Sequence, residues 1–189
     1  GGYFYSENGS VGASDWNSIE REKEVGPIWF RTATDGNGEI HMIGTYPLDE
    51  SAPSQVTLSG VERPTVYYKY NPVEDTFAYT QFMLPGYDSS KFTTGVADAY
   101  AIDAQDSTVA ILYGWEFQDL TLWKSNDYGN SWTKTILMEF PIDAYDPDET
   151  TFFDTTEITD GNVSVVIDQN GTVHCAWGEI DAWRDNLDG

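Results

Sequence analysis

Three segments of the chain share one pattern: a strand-like run, an Asp, a tight turn and a second strand-like run. The copies span residues 31–44, 101–114 and 165–178. Asn37-Gly38 and Asn170-Gly171 mark the turns of the first and third copies, because both residue types tolerate a positive φ. A unit repeated at this spacing restricts the chain to a repeat architecture built from hairpins.

Hydrophobic residues recur with a period of two rather than 3.6 along most of the chain. Gly, Asn, Asp and Pro interrupt runs rich in Val, Ile, Thr, Tyr and Trp, such as 65–69, 109–113, 120–123 and 163–167. This composition and spacing are typical of strands separated by turns. Only residues 15–24 predict a short turn of helix. The sequence therefore predicts an all-β fold.

A second pattern follows each of the first two hairpins. Residues 124–132 read Lys-Ser-Asn-Asp-Tyr-Gly-Asn-Ser-Trp, and residues 69–77 align with them without a gap, so that Phe77 matches Trp132. Each unit is therefore a strand, a hairpin turn and a strand, followed by a strand, a turn and a strand. Four antiparallel strands repeated in this way are typical of the blades of a β-propeller.

Within the second pattern, Ser125, Asp127, Gly129 and Trp132 form the complete sequence S-x-D-x-G-x-x-W. This motif resembles the Asp box, or BNR repeat, of the sialidase-like β-propellers. The carboxylate is suited to accept backbone N–H groups, the serine adds a hydroxyl, glycine permits the reversal, and tryptophan packs the turn onto the sheet. The resemblance implies a structural role at the periphery of a blade, away from the active site.

The repeats do not add up to a complete propeller. Residues 1–189 are interpreted as a single propeller region with approximate blades at 28–83 and 97–140. Residues 162–189 form a partial blade, and residues 1–27 are the remnant of a preceding blade. Because propellers contain about four to eight blades, we expect the chain to be an excerpt of a larger protein. The remaining blades of that parent protein are then its expected partners.

The charge balance excludes several functions. The chain has 9 Lys and Arg against 32 Asp and Glu, a net charge of -23. Phosphate contacts need clustered basic residues, so binding to nucleic acid or to an anionic membrane surface is not expected. The chain contains no run of about 18 apolar residues, so direct insertion into a membrane is not expected. With the Asp-box resemblance, the acidity indicates a secreted or cell-surface protein, of bacterial type.

The single Cys175 excludes an internal disulfide framework and a cysteine metal cluster. Its expected role is that of a small buried hydrophobic residue.

Three classes of function stay open. The first is a sialidase-like exo-glycosidase, for which the resemblance implies an arginine cluster, a Tyr nucleophile with a Glu partner and an Asp acid/base. Phe30-Arg31 resembles the start of the Phe-Arg-Ile-Pro motif of that family, so Arg31 is its candidate residue. The second is another polysaccharide-active propeller: a neutral-glycan hydrolase, which needs two carboxylates about 5–10 Å apart, or a lyase acting on uronate polymers, for which His41 and His174 are the candidates. Both histidines occupy the same repeat position, which favours a repeated packing role.

The third class is a non-catalytic module for binding, adhesion or display, with a glycan or protein ligand. We favour this class, because no constellation of acid, base and nucleophile emerges from the sequence. The net charge also opposes an anionic polymer substrate.

A dense acidic loop is predicted between two blades. Its carboxylates, Asp143, Asp146, Asp148 and Glu149, are candidate ligands for Ca²⁺, which prefers hard oxygen donors. The loop lacks the spacing of an EF-hand. Apart from this calcium site, the sequence predicts no cofactor.

Overall fold

The computed structural model describes residues 2–5, 17–20, 26–50, 54–146 and 153–184. The all-β prediction is confirmed, because these residues form fourteen strands and no helix. The described ranges accordingly contain no long apolar helix that could cross a membrane. The strands form five antiparallel sheets, two with four strands and three with two.

An N-terminal hairpin pairs β1 (Gly2–Tyr5) with β2 (Asn17–Glu20). The first four-stranded sheet has the order β3 (Ile28–Thr34), β4 (Ile40–Thr45), β7 (Thr65–Asn71) and β8 (Thr76–Phe82). A small hairpin, β5 (Thr57–Leu58) and β6 (Val61–Glu62), lies between β4 and β7 in the chain. The second four-stranded sheet contains β9 (Tyr100–Gln105), β10 (Thr108–Tyr113), β11 (Leu120–Ser125) and β12 (Thr133–Met138). The third sheet pairs β13 (Phe153–Ile167) with β14 (Val173–Arg184).

Burial shows that the second four-stranded sheet lies between the first four-stranded sheet and the third sheet, β13–β14. Every residue of β10 is buried, as expected for a strand covered on both faces. Ile111 and Tyr113 of this strand pack with Tyr67 of the first sheet. Ala110 and Leu112 pack instead with Val165 and Ile167 of the third sheet. Successive side chains of one strand therefore join the second sheet to both of its neighbours.

The first strands of the three larger sheets lie next to one another. β9 contacts β3 on one side and β13 on the other. In both four-stranded sheets the strands follow the chain order from this inner strand to the outer one. The described sheets do not close into a barrel or a ring.

Two local predictions differ from the structure. The helical turn predicted within residues 15–24 is wrong at Asn17–Glu20, which pairs with β1 as a strand. The third repeat was expected to begin near Asn162, whereas β13 begins at Phe153. The residues Asp160-Gly161-Asn162 resemble a turn in the sequence. The structure instead accommodates them as an irregularity between Thr159 and Val163, with Gly161 at a φ of 81°.

Candidate functional site

The residues that resemble an Asp box, Ser125 to Trp132, form a turn between β11 and β12, which we name the Asp-box turn after that resemblance. The Ser125 hydroxyl donates to Asp127 Oδ1 at 2.7 Å and accepts the Gly129 N–H at 2.8 Å. The Asp127 carboxylate also accepts the Ser131 N–H at 2.8 Å and the Ser131 hydroxyl at 2.7 Å. These hydrogen bonds, with that of Ser131 first, lower the pKa of Asp127 to about 2. The carboxylate therefore stabilises the turn through its hydrogen bonds.

The far side of this turn packs on the first sheet. Trp132 meets Tyr67 edge to face, with ring centroids 5.2 Å apart. Gly129 has a φ of 76°, and a Cβ at this position would overlap the Tyr67 hydroxyl and lie 3.2 Å from His41 Cε1. The glycine therefore serves two purposes: it permits the reversal, and it lets the turn approach the neighbouring sheet.

Beneath the turn, His41 bridges two buried side chains of the first sheet. Its Nε2 lies 3.0 Å from Asp35 Oδ2, and its Nδ1 lies 2.6 Å from the Tyr67 hydroxyl. The side chains of His41 and Asp35 are both fully buried. Burial lowers the pKa of His41 although Asp35 opposes the shift, and burial raises the pKa of Tyr67. The cluster is thus arranged around a neutral imidazole.

Lys69, a buried lysine, lies at the edge of the same contact. Lys69 Nζ lies 2.7 Å from Glu39 Oε2 and 3.5 Å from Asn130 Oδ1 of the Asp-box turn. We name the contact of Asp35, His41, Tyr67 and Lys69 with Gly129, Asn130 and Trp132 the His41 joint. The joint links two sheets and leaves His41 no exposed surface with which to meet a polymer substrate. In the structure, candidate His41 is therefore a buried residue that packs between the two sheets.

His174, the other candidate histidine, also pairs with an Asp, but this pair is exposed. His174 Nε2 lies 3.2 Å from Asp168 Oδ2, with side chains 57% and 37% exposed. Asp168 accepts the backbone N–H groups of Asn170 and Thr172, as Asp35 accepts those of Asn37 and Glu39. These bonds lower the pKa of Asp168, and the bond from Thr172 has the largest effect. The two hairpins are therefore equivalent in local structure and differ in what covers them.

The inner strand of the first sheet carries a strained tryptophan. Trp29 has a φ of 54°, which is an outlier for a bulky side chain, and it lies where the pairing of β3 with β4 shifts between Ile28 and Arg31. Its carbonyl accepts the Tyr100 hydroxyl at 2.7 Å, and its side chain is 48% exposed. Burial raises the pKa of Tyr100 to about 12, so this hydroxyl stays a donor at neutral pH.

Candidate Arg31 follows this tryptophan two residues later in β3. Its guanidinium forms an exposed ion pair with Asp98, which has a φ of 63°. Phe30, between the two, packs edge to face on Tyr68. We name the group of Trp29, the Arg31–Asp98 ion pair and the buried Tyr100 hydroxyl, which donates to the Trp29 carbonyl, the Trp29 edge. Strained backbone often marks functional sites, and this edge combines it with an exposed indole, a cation and a carboxylate.

The acidic loop shows no assembled metal site among the residues that the structure describes. Asp143 forms an ion pair with Lys91, which also lies 3.6 Å from Glu139 Oε1. These residues line an open cleft of about 710 Å³ with Phe140, Pro141 and Ile142. No group of three or more potential ligands lies together in the described ranges. Asp148 and Glu149 lie outside them, so the calcium site with Asp146 stays a prediction.

Sequence reasoning singled out His41, His174 and Arg31 but missed their partners. An Asp six residues before each histidine, across a hairpin turn, is a signal that could have identified both Asp–His pairs. Nothing in the sequence signals the φ of Trp29 or its contact with Tyr100, because that contact joins two different sheets. Comparison with protein-family models, with curated proteins and with solved structures finds no significant match.

Proposed function

We propose that the chain is a secreted or cell-surface binding module of the β-propeller type, with its ligand at the Trp29 edge. One observation carries the proposal: a half-exposed indole is held in a strained backbone conformation two residues before Arg31, which forms an exposed ion pair with Asp98. An indole offers an apolar face to a sugar ring, and the guanidinium and carboxylate offer hydrogen-bond donors and acceptors to its hydroxyls. A glycan is therefore the favoured ligand, with a protein surface as the other class.

The propeller type has three supporting features. Two sheets have four antiparallel strands in simple chain order, and the inner strands β3, β9 and β13 follow one another in space. The Asp-box turn lies at the outer hairpin of its sheet, where the resemblance to sialidase-like propellers implies a structural role. Because a propeller has about four to eight blades, further blades are needed to complete this one.

The second candidate function is a polysaccharide-active enzyme, an exo-glycosidase or a uronate lyase. The exposed His174–Asp168 pair favours it, since a solvent-accessible imidazole held by a carboxylate is suited to proton transfer. The net charge of -23 disfavours anionic substrates for the same surface. The binding function needs no such charge complementarity if the glycan is neutral.

Binding of the wild-type protein to a glycan array, followed by titration of the best ligand, tests the proposal. We expect Trp29→Ala to weaken binding at least tenfold, which corresponds to about 1.4 kcal/mol, and Trp29→Phe to retain part of the affinity. Trp183→Ala is the matched control, because Trp183 is a more exposed tryptophan on β14, at 66%. Equal effects of the two alanine variants would contradict the assignment of the ligand to the Trp29 edge.

The enzyme alternative has its own assay. The wild-type protein and His174→Gln are incubated with sialosides and with uronate polymers. Release of sialic acid, or shortening of the polymer, that disappears in the variant would replace the binding proposal with the enzymatic one.

A further inference from the structure

The orientation of Trp29 depends on an irregularity in the first sheet. β3 pairs with β4 at Ile28 and again from Arg31 onwards, and the register shifts between these two residues. Trp29 lies in this interval with a φ of 54°, in the left-handed region that bulky side chains rarely adopt. A conformation of this kind persists only where the surroundings fix it. Contacts beyond Trp29 itself must therefore hold it in place.

The first of these contacts is made possible by Gly44 on β4. A Cβ at Gly44 would lie 2.8 and 2.9 Å from two carbons of the Phe30 ring and 3.0 Å from the Ile28 carbonyl oxygen. The Phe30 ring therefore occupies the space that any other residue would fill at position 44, and it meets Tyr68 edge to face. Packing of Phe30 in this space fixes the residue that follows Trp29 on the first sheet.

The second contact comes from Tyr100 on β9, in the second sheet. Its hydroxyl donates to the Trp29 carbonyl at 2.7 Å, and only 1% of the residue is exposed. The ring belongs to a hydrophobic cluster that includes Ile43 of the first sheet and Ile111 of the second. Because packing against both sheets immobilises the ring, the hydroxyl is a fixed donor. It holds the backbone of Trp29 from outside the sheet to which Trp29 belongs.

An ion pair two residues away joins the same two segments. Asp98 pairs with Arg31 as Tyr100 bonds to Trp29, so residues 98–100 meet residues 29–31 at two points. The ion pair is exposed, and solvent and salt weaken it. The hydrogen bond from Tyr100 is buried and is not screened in this way. We therefore expect Tyr100 to contribute more than Asp98 to the orientation of Trp29.

We propose that Gly44 and Tyr100 are positioning residues, which hold Trp29 in the orientation in which it binds its ligand. The inference rests on the proposed binding function of the Trp29 edge, and it adds that the site is assembled across two sheets. Without either contact, Trp29 can relax to an ordinary φ, and the binding orientation is populated for only a fraction of the time. The apparent affinity then falls in proportion to that fraction.

Fluorine NMR of the full chain labelled with fluorotryptophan tests the positioning of Trp29 without a ligand. The chain has seven tryptophans, and the resonance of Trp29 is the one that is lost in Trp29→Phe. Tyr100→Phe removes only the hydroxyl that donates to Trp29. Tyr113→Phe is the matched control, because Tyr113 is also 1% exposed and its hydroxyl donates to the backbone carbonyl of Thr94 instead.

Gly44→Ala tests the other contact. Its methyl group would collide with the Phe30 ring. In the matched control, Gly178→Ala, the methyl group would collide with the Asp160 side chain of the third sheet instead. If Gly44→Ala does not fold, Tyr100→Phe alone decides the outcome.

We expect the resonance of Trp29 to move in Tyr100→Phe and in Gly44→Ala, and to stay in place in both controls. For the best ligand of the glycan array, we expect Tyr100→Phe to raise the Kd about fivefold, the effect of one lost hydrogen bond, and Tyr113→Phe to raise it less than about twofold. A resonance that moves in neither variant, or that moves equally in the controls, would overturn the proposal, as would a moved resonance with an unchanged Kd. An array without any ligand would refute the binding function, and the resonance would then decide whether the two residues orient Trp29.

Discussion

Two hairpins of this chain share the sequence Asp-x-Asn-Gly-x-x-His but lie in opposite surroundings. Asp35 and His41 are fully buried under the Asp-box turn of the next sheet, whereas Asp168 and His174 are exposed. In both, the Asp carboxylate holds the loop and pairs with the histidine. The shared sequence determines the conformation of the hairpin, whereas the neighbouring sheet determines whether the histidine is buried or exposed. Residue type and repeat position alone therefore do not identify a catalytic group.

The largest expected difference between the two hairpins is in the effect of removing the histidine. His41→Ala leaves the buried Asp35 carboxylate and the Tyr67 hydroxyl without their shared partner, so we expect a loss of about 3–5 kcal/mol in the free energy of unfolding. His174→Ala should change it by less than about 0.5 kcal/mol, because the site is exposed. Urea denaturation of both variants measures the difference. Similar losses would show that the two hairpins do not differ as described.

The glycines of the two regions form a second matched pair. Gly129 and Gly171 both have a φ of 76°, so alanine is strained equally at either position, by about 1–2 kcal/mol. At Gly129 the new methyl group would also collide with Tyr67, adding about 1–3 kcal/mol. At Gly171 the nearest atom, Thr108 Oγ1, is 3.6 Å away, an ordinary contact.

Thermal or urea unfolding of the two alanine variants isolates the crowding contribution from the strain. An equal destabilisation would mean that the Asp-box turn does not pack on the His41 joint.

The smallest expected effect is a pH dependence that comes from the joint. Burial lowers the pKa of His41 below its ordinary 6.5, so the unfolded chain binds a proton more readily than the folded one. The contribution to stability is complete above pH 6.5, declines as the pH falls towards the lowered pKa, and levels off below it. Denaturation at a series of pH values should show this decline in the wild-type protein and a flatter profile in His41→Gln. An unchanged profile in the variant would assign the dependence to other groups.

The sequence predicted those features that depend on local chemistry. Period-two runs predicted the strands, Asn37-Gly38 and Asn170-Gly171 predicted hairpin turns, and both turn glycines have a positive φ. The proposed roles of Ser125 and Asp127 agree with their hydrogen bonds in the turn. Each of these features lies within a few residues of the chain, where residue type and spacing are decisive.

The features that the sequence did not predict depend on contacts between sheets. Trp132 was expected to pack the turn onto the sheet, and the sequence did not predict that its ring would also meet Tyr67 of the neighbouring sheet. The strained φ of Trp29 accompanies the hydrogen bond from Tyr100, on the next inner strand. The burial of His41 likewise depends on Gly129, which belongs to the following repeat. Distances of this kind are set by tertiary packing and leave no periodic signal.

His41 belongs to a joint between two sheets and is shielded from solvent, and histidine labelling tests this burial most directly. The chain has only two histidines, so acylation by diethyl pyrocarbonate can be assigned to each by mass spectrometry of peptides. In dilute native protein we expect His174 to be modified and His41 to stay protected until the protein is unfolded. Modification of His41 in the native protein at a rate similar to that of His174 would contradict the account.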